Sequence, residues 1–151
     1  MPLIKLPVLI VSVLLSAQLL AADPVFLNSS KVLPDNLPFS EAVRVNDTLY
    51  LSGQVGVVPG TMGLVPGGIK AESLQVMNNI ATVLQEHGYQ LSDLVKCTVM
   101  LHDISDWPAF NEIYAEFLTP PYPARIAVGS NGLALGASVE VECIAEASAD
   151  D

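Results

Sequence analysis

Apolar and polar positions alternate most cleanly between Val139 and Ala145, where Val139, Val141 and Cys143 interleave with Glu140, Glu142 and Ile144. Successive side chains of a strand point to opposite faces, so the stretch predicts one apolar face and one face carrying two carboxylates. Val95 to Leu101 repeats the pattern, with Val95, Cys97, Val99 and Leu101 expected on one side and Lys96, Thr98 and Met100 on the other. Ser40 to Gln54 reads as a hairpin turning at Asn46-Asp47, with Val43 and Val45 on the outward strand and Thr48 to Ser52 on the return. Gly53 interrupts that strand, Val55 to Val58 resumes it, and a loop rich in glycine (Gly60, Gly63, Gly67, Gly68) follows. The period then lengthens. Leu74, Met77, Ile80 or Ala81, and Leu84 recur at spacings of three and four, which predicts a helix over Ile69 to His87 stopped by Gly88, with Gln75, Asn79, Gln85 and Glu86 off the stripe. A second helix is expected over Ala109 to Leu118, capped by Asp106, with Pro108 in its first turn and Phe110, Ile113, Tyr114 and Phe117 on one side. Strands from Arg125 to Val128 and from Ser138 to Ala145, separated by a turn at Asn131-Gly132, complete the chain. Asp23 to Pro38 reads as irregular.

The order β-β-(β)-α-β-α-β-β predicts an α+β fold, a mixed β-sheet with two helices on one face. Two helices on one side leave the other side of the sheet without intrachain cover. That side would carry either Val139, Val141 and Cys143 or the opposite set, and its partly apolar character predicts self-association.

Residues 1–22 are written differently. Lys5 precedes an apolar run from Leu6 to Leu20, and Ala21-Ala22 offers small residues before Asp23-Pro24, the layout of a secretory signal peptide. The apolar run is short for a membrane span, which takes about 20 residues. The expectation is a bacterial protein exported to the periplasm or secreted, with residues 23–36 an N-terminal extension and 37–151 the folded domain. Six basic against 16 acidic residues give a net charge of −10, which disfavours binding to nucleic-acid phosphates. Export permits a disulfide between Cys97 and Cys143, but a domain of this size does not require one, and two buried free thiols are the preferred reading. No CxxC pair or histidine cluster accompanies them, so no metal is expected.

Two residues stand out as candidate chemistry. Arg125 follows a proline-rich break, and a guanidinium presents a planar fork of donors suited to clamping a carboxylate. It reads equally as a surface residue or an ion-pair partner of Glu140 or Glu142. Glu140 could hold a water or pass a proton, or simply face solvent or Lys96. Ser52-Gly53-Gln54 closes a strand with small and polar groups that could meet a substrate.

The chain resembles the Rid family, the reactive intermediate deaminases. The resemblance runs from about Leu37 to Ala145 and rests on a set of pieces in order: Leu37-Pro38-Phe39-Ser40, Leu51-Ser52-Gly53-Gln54, the helix through Asn79, Asp93 to Asp103 with its LVKCTVMLHD run, Asn111-Glu112-Ile113-Tyr114, Pro123-Ala124-Arg125, and Val139 to Ala145. It implies a chorismate-mutase-like fold assembled as a homotrimer around a central barrel, with sites between subunits. It also implies hydrolysis, without a cofactor, of enamines and imines such as 2-aminoacrylate and 2-iminopropanoate to the 2-keto acid and ammonia. By the same resemblance Arg125 binds the substrate carboxylate, Glu140 positions or activates water, Ser52 stands near the ligand, and Phe39, Gly53 and Asn111 line the cleft. Phe39 stands where the family usually has tyrosine, and Ile126 where a small residue is common, so the substrate range is expected to differ. The alternative reading is a non-catalytic trimer that binds small carboxylates or acts as a chaperone-like protein.

Overall fold

The computed structural model describes residues 23–147; the expected signal peptide lies outside the described residues. Seven strands form one mixed sheet: β1 (Val25–Leu27), β2 (Ala42–Val45), β3 (Thr48–Leu51), β4 (Gln54–Val55), β5 (Leu94–Leu101), β6 (Ala124–Gly129) and β7 (Val139–Glu146). Their order is β1-β2-β3-β7-β5-β6, with β4 also pairing with β7. Only β5 and β6 run parallel, and helix α2 (Trp107–Phe117) makes the crossover between them. Helix α1 (Gly68–Glu86) packs against α2, β4 and β7. The predicted mixed sheet with two helices is therefore found, and the hairpin turns at Asn46, which adopts the left-handed backbone (φ 54°) that asparagine tolerates.

The covered face of the sheet carries Val139, Val141, Cys143 and Ala145 of β7 with Cys97, Val99 and Leu101 of β5, all buried. The open face therefore carries the Glu140, Glu142 and Ile144 set. Neighbouring strands add Tyr50, Ile126 and Val128 to that face, exposed, and Met100, half-buried. Val95 departs from its predicted side. The β5–β7 register shifts between Leu94 and Lys96, and this bulge turns Val95 outward to 47% exposure.

Three further expectations are corrected. Asp23 to Pro38 is not wholly irregular: β1 adds an edge strand to β2, and Val32 is fully buried. On α1 the stripe is rotated, so Leu74 is exposed while Glu72, Ser73, Val76 and Asn79 are buried with Met77 and Ile80. Two buried free thiols are replaced by a Cys97–Cys143 disulfide, because antiparallel pairing places the two residues directly opposite one another. Pairing register is a tertiary property that the spacing of the two cysteines does not contain.

The polar groups that displaced Leu74 tie α1 to the strands beside the site. Asn79 donates through Nδ2 to the carbonyls of Val55 and Val57, 3.1 Å each, and accepts from Gln75. The Glu72 carboxylate accepts from Ser138 N and Oγ at 2.7 and 2.8 Å, immediately before β7. Gly56 lies so close to α1 that a Cβ there would fall 2.8 Å from the Glu72 Cα. A buried polar side chain is tolerated where its hydrogen bonds are made, and each such bond stabilises by about 1 kcal/mol.

A second buried cluster fixes the segment before β2. The Glu41 carboxylate accepts from Ser29 N and Oγ, and His87 Nε2 lies 2.9 Å from Glu41 Oε2 at the end of α1. Glu41 N donates to Asn28 Oδ1. The N-terminal segment, β2 and the C-terminus of α1 are thus tied together two residues from Phe39.

Candidate active site

The six residues singled out from the sequence fall into two groups. Phe39, Ser52, Gly53 and Glu140 line one cavity of about 330 Å³, together with Leu33, Leu37, Val55, Met62, Ala134 and Leu135. Asn111 and Arg125 line another, with Tyr114, Ala115, Tyr122 and Pro123. Within one chain the groups do not meet. Arg125 pairs in register with Cys97 and lies on the helix side of edge strand β6, whereas Glu140 pairs with Met100 and lies on the open side of β7. Arg125 forms neither of the ion pairs considered for it.

In the first group, Glu140 sits where β4 crosses β7, opposite Val55. Gly53 makes room for it, since a Cβ at Gly53 would collide with Glu140 Oε1. Burial raises the Glu140 pKa above its ordinary value, and the nearby negative charge of Glu142 raises it further. The result is a half-buried carboxyl that is a stronger base than a solvated glutamate once ionised. Ser52 has a holding role in this arrangement. Its hydroxyl donates to Ser40 O at 2.7 Å and its N–H donates to Glu41 O at 3.0 Å, which clasps the segment carrying Phe39. The hydroxyl proton is engaged, and the oxygen remains able to accept.

In the second group, Arg125 Nη2 donates to Asn111 Oδ1 at 2.9 Å, and its guanidinium lies over the Tyr114 ring, 4.7 Å from the centroid. Trp107 stands further off at 6.0 Å. One short hydrogen bond and one aromatic face orient the fork while leaving other donors for a ligand. The Tyr114 hydroxyl is buried without a hydrogen-bond partner among the described residues, and burial raises its pKa, against the opposing effect of the Arg125 charge. Periodicity places Tyr114 on an apolar helix face, and the family resemblance includes it in the Asn111-Glu112-Ile113-Tyr114 piece without giving it a role. The signal for more was present in the choice of tyrosine over phenylalanine, because a buried hydroxyl calls for a partner. Tyr122, Met62 and Leu135 were also missed, since they belong to loops whose paths periodicity does not describe.

Among the described residues, no three His, Cys, Asp or Glu side chains stand close enough together to hold a metal ion. No described helix is long and apolar enough to cross a membrane.

The family model for Endoribonuclease L-PSP matches residues 31–147. A 2-iminobutanoate/2-iminopropanoate deaminase of Capra hircus is 42% identical over 108 residues, covering 72% of this chain and 79% of that protein. The Homo sapiens protein of the same description is 39% identical with the same coverage. Among solved structures, RidA from the Antarctic bacterium Psychrobacter sp. superposes with a TM-score of 0.77 at 39% identity, covering 82% of this chain and 99% of that one. On this evidence the chain belongs to the Rid family of reactive intermediate deaminases, the family whose model carries the description Endoribonuclease L-PSP.

Proposed function

We propose that this protein hydrolyses 2-imino and 2-enamino acids to 2-keto acids and ammonia, at sites completed by two copies of the chain. The observation that carries the reading is the division of the chemistry into two halves. One half, Arg125 with Asn111 and Tyr114, suits a carboxylate. The other, Glu140 cradled by Gly53, suits a water molecule and its proton. A substrate bearing a carboxylate next to a C=N bond needs both. The partly apolar open face of the sheet supports assembly of the copies, as a homotrimer around a central barrel. The substrates named for the similar Capra hircus and Homo sapiens proteins belong to the same class.

In this mechanism Arg125 holds the carboxylate and fixes the position of C2. Ionised Glu140 accepts a proton from water as the water oxygen bonds to C2, and the C=N electron pair moves to nitrogen, which takes up a proton. The carbinolamine then collapses. The amino nitrogen takes up a further proton as the hydroxyl gives its own to Glu140 or water, the C–N bond breaks, and ammonia departs as the keto C=O forms. An enamine first gains a proton at C3 to become the imine. The reaction is a net addition of water and loss of ammonia, with no electron transfer. Orientation supplies much of the acceleration, because the imine is already electrophilic beside its carboxylate.

The disulfide is of a kind that persists in oxidising compartments, which supports the export expected from residues 1–22. The net charge of −10 weighs against an RNA substrate.

The test generates 2-iminopropanoate in situ with an amino-acid oxidase acting on alanine and follows ammonia release. The expected result is acceleration by the wild-type protein and its loss in Arg125→Ala and Glu140→Gln. No acceleration by pure, assembled wild-type protein would overturn the reading.

A further inference from the structure

The cavity beside Glu140 is walled mainly by apolar residues. Of the ten residues lining its roughly 330 Å³, only Ser52, Gly53 and Glu140 belong to the polar half-site; the rest are apolar. Three of these, Phe39, Met62 and Leu135, present side chains that are 48%, 44% and 51% exposed. Exposed large apolar side chains that converge on one concavity holding a carboxylate have the character of a ligand pocket.

Leu135 adds an independent observation. It adopts φ 60° and ψ 8°, the left-handed region that costs a bulky residue energy and that glycine enters freely. Gly136 beside it has φ 76°, so glycine is used in this turn where the backbone asks for it. A leucine held in that conformation, and half exposed, is explained neither by backbone preference nor by core packing. What it does is supply one wall of the cavity that contains Glu140. Backbone strain of this kind, kept at a cleft, marks a position chosen for contact with something bound.

We infer that, within the deaminase reading on which this rests, the site takes 2-imino acids with larger aliphatic side chains, the imines derived from leucine or methionine, in preference to the alanine-derived imine. With C2 near Glu140 and the carboxylate turned toward Arg125 of a second copy, the side chain enters the chamber walled by Phe39, Met62 and Leu135. An isobutyl group carries three carbons more than a methyl, and one methylene in an apolar pocket is worth about tenfold or more in kcat/KM. The leucine-derived imine should therefore exceed the alanine-derived one by at least about tenfold.

The experiment measures kcat/KM of the assembled protein on imines generated from alanine, leucine and methionine. In parallel, calorimetry measures the affinities of pyruvate and 4-methyl-2-oxopentanoate. Expected are a preference of tenfold or more for the larger imines and tighter binding of the larger keto acid. In Leu135→Gly, which relieves the backbone, both ratios should fall toward unity while the assembly and its urea midpoint are kept. Equal or reversed ratios in the wild-type protein would overturn this inference and leave the deaminase reading standing. A Leu135→Gly protein that dissociates while keeping its ratios would assign Leu135 to subunit contact and overturn it as well. Should no imine be hydrolysed, the functional reading falls, and the two keto-acid affinities decide the pocket's preference on their own.

Discussion

Arg125 and Glu140 lie on opposite faces of the same sheet, with β5 between their strands. Under the proposed function, the residue assigned to the substrate carboxylate and the one assigned to water thus cannot serve one small substrate within a single chain. If two copies supply one half each, inactive variants should repair one another. Mixing Arg125→Ala with Glu140→Gln subunits by unfolding and refolding together should restore activity to about a quarter of wild type, the share of interfaces in a random equimolar ring that join two intact halves. Separately refolded variants mixed without subunit exchange should stay inactive. Recovery absent from verified mixed oligomers would place the whole reaction within one chain.

The environment of Glu140 sets a pH dependence. Its pKa in the folded protein is raised above the ordinary 4.5, by burial first and by Glu142 second. Acting as a base it must be ionised, so kcat/KM should fall as pH drops through the raised value, and the acid limb should lie above 4.5. Glu142→Gln should move that limb downward without bringing it to the ordinary value, because burial remains. The sign for stability is opposite to that of a carboxylate in an ion pair. The unfolded chain releases this proton first, so the stability contributed by Glu140 is lost as pH rises from the ordinary value through the folded one. Glu140→Gln should therefore be slow yet no less stable than wild type at neutral pH, as urea melts beside the rate profile would register.

Gly53 is occupied by glycine because Glu140 fills the space a methyl would need. Gly53→Ala should push the carboxylate aside and lower kcat by about a hundredfold, the scale expected for a displacement near one ångström at a reacting group. Arg125, the proposed carboxylate clamp, lies in the other cavity, so affinity for a keto acid should change much less. A variant with unaltered kcat would show that the Glu140 position seen in this structure is not the working one.

The Cys97–Cys143 cross-link joins β5 to β7 across the centre of the sheet. Cys97→Ala/Cys143→Ala should lower stability by about 2–4 kcal/mol, chiefly through the freer unfolded chain. Denaturant melts with and without reductant provide the check, and wild type and double variant should coincide once the bond is reduced. Two titratable thiols in the unreduced, denatured wild-type protein would refute the bond itself.

Much of this molecule is written locally. The alternation of β7, the hairpin at Asn46-Asp47 and the two helices follow from side-chain period and turn chemistry, which act within a few residues. Of the residues that stand out as motif positions, Phe39, Ser52, Gly53 and Glu140 line one cavity and Asn111 and Arg125 another. What the chain order does not contain is register and facing. The bulge at Val95, the rotation of α1 that buries Glu72 and Asn79, the bond between Cys97 and Cys143, and the pocket wall at Leu135 all depend on which strand lies beside which. The separation of Arg125 from Glu140 is of the same kind. Each residue's neighbours along the chain specify its strand, but only long-range pairing decides which side of the sheet it occupies and what it meets there.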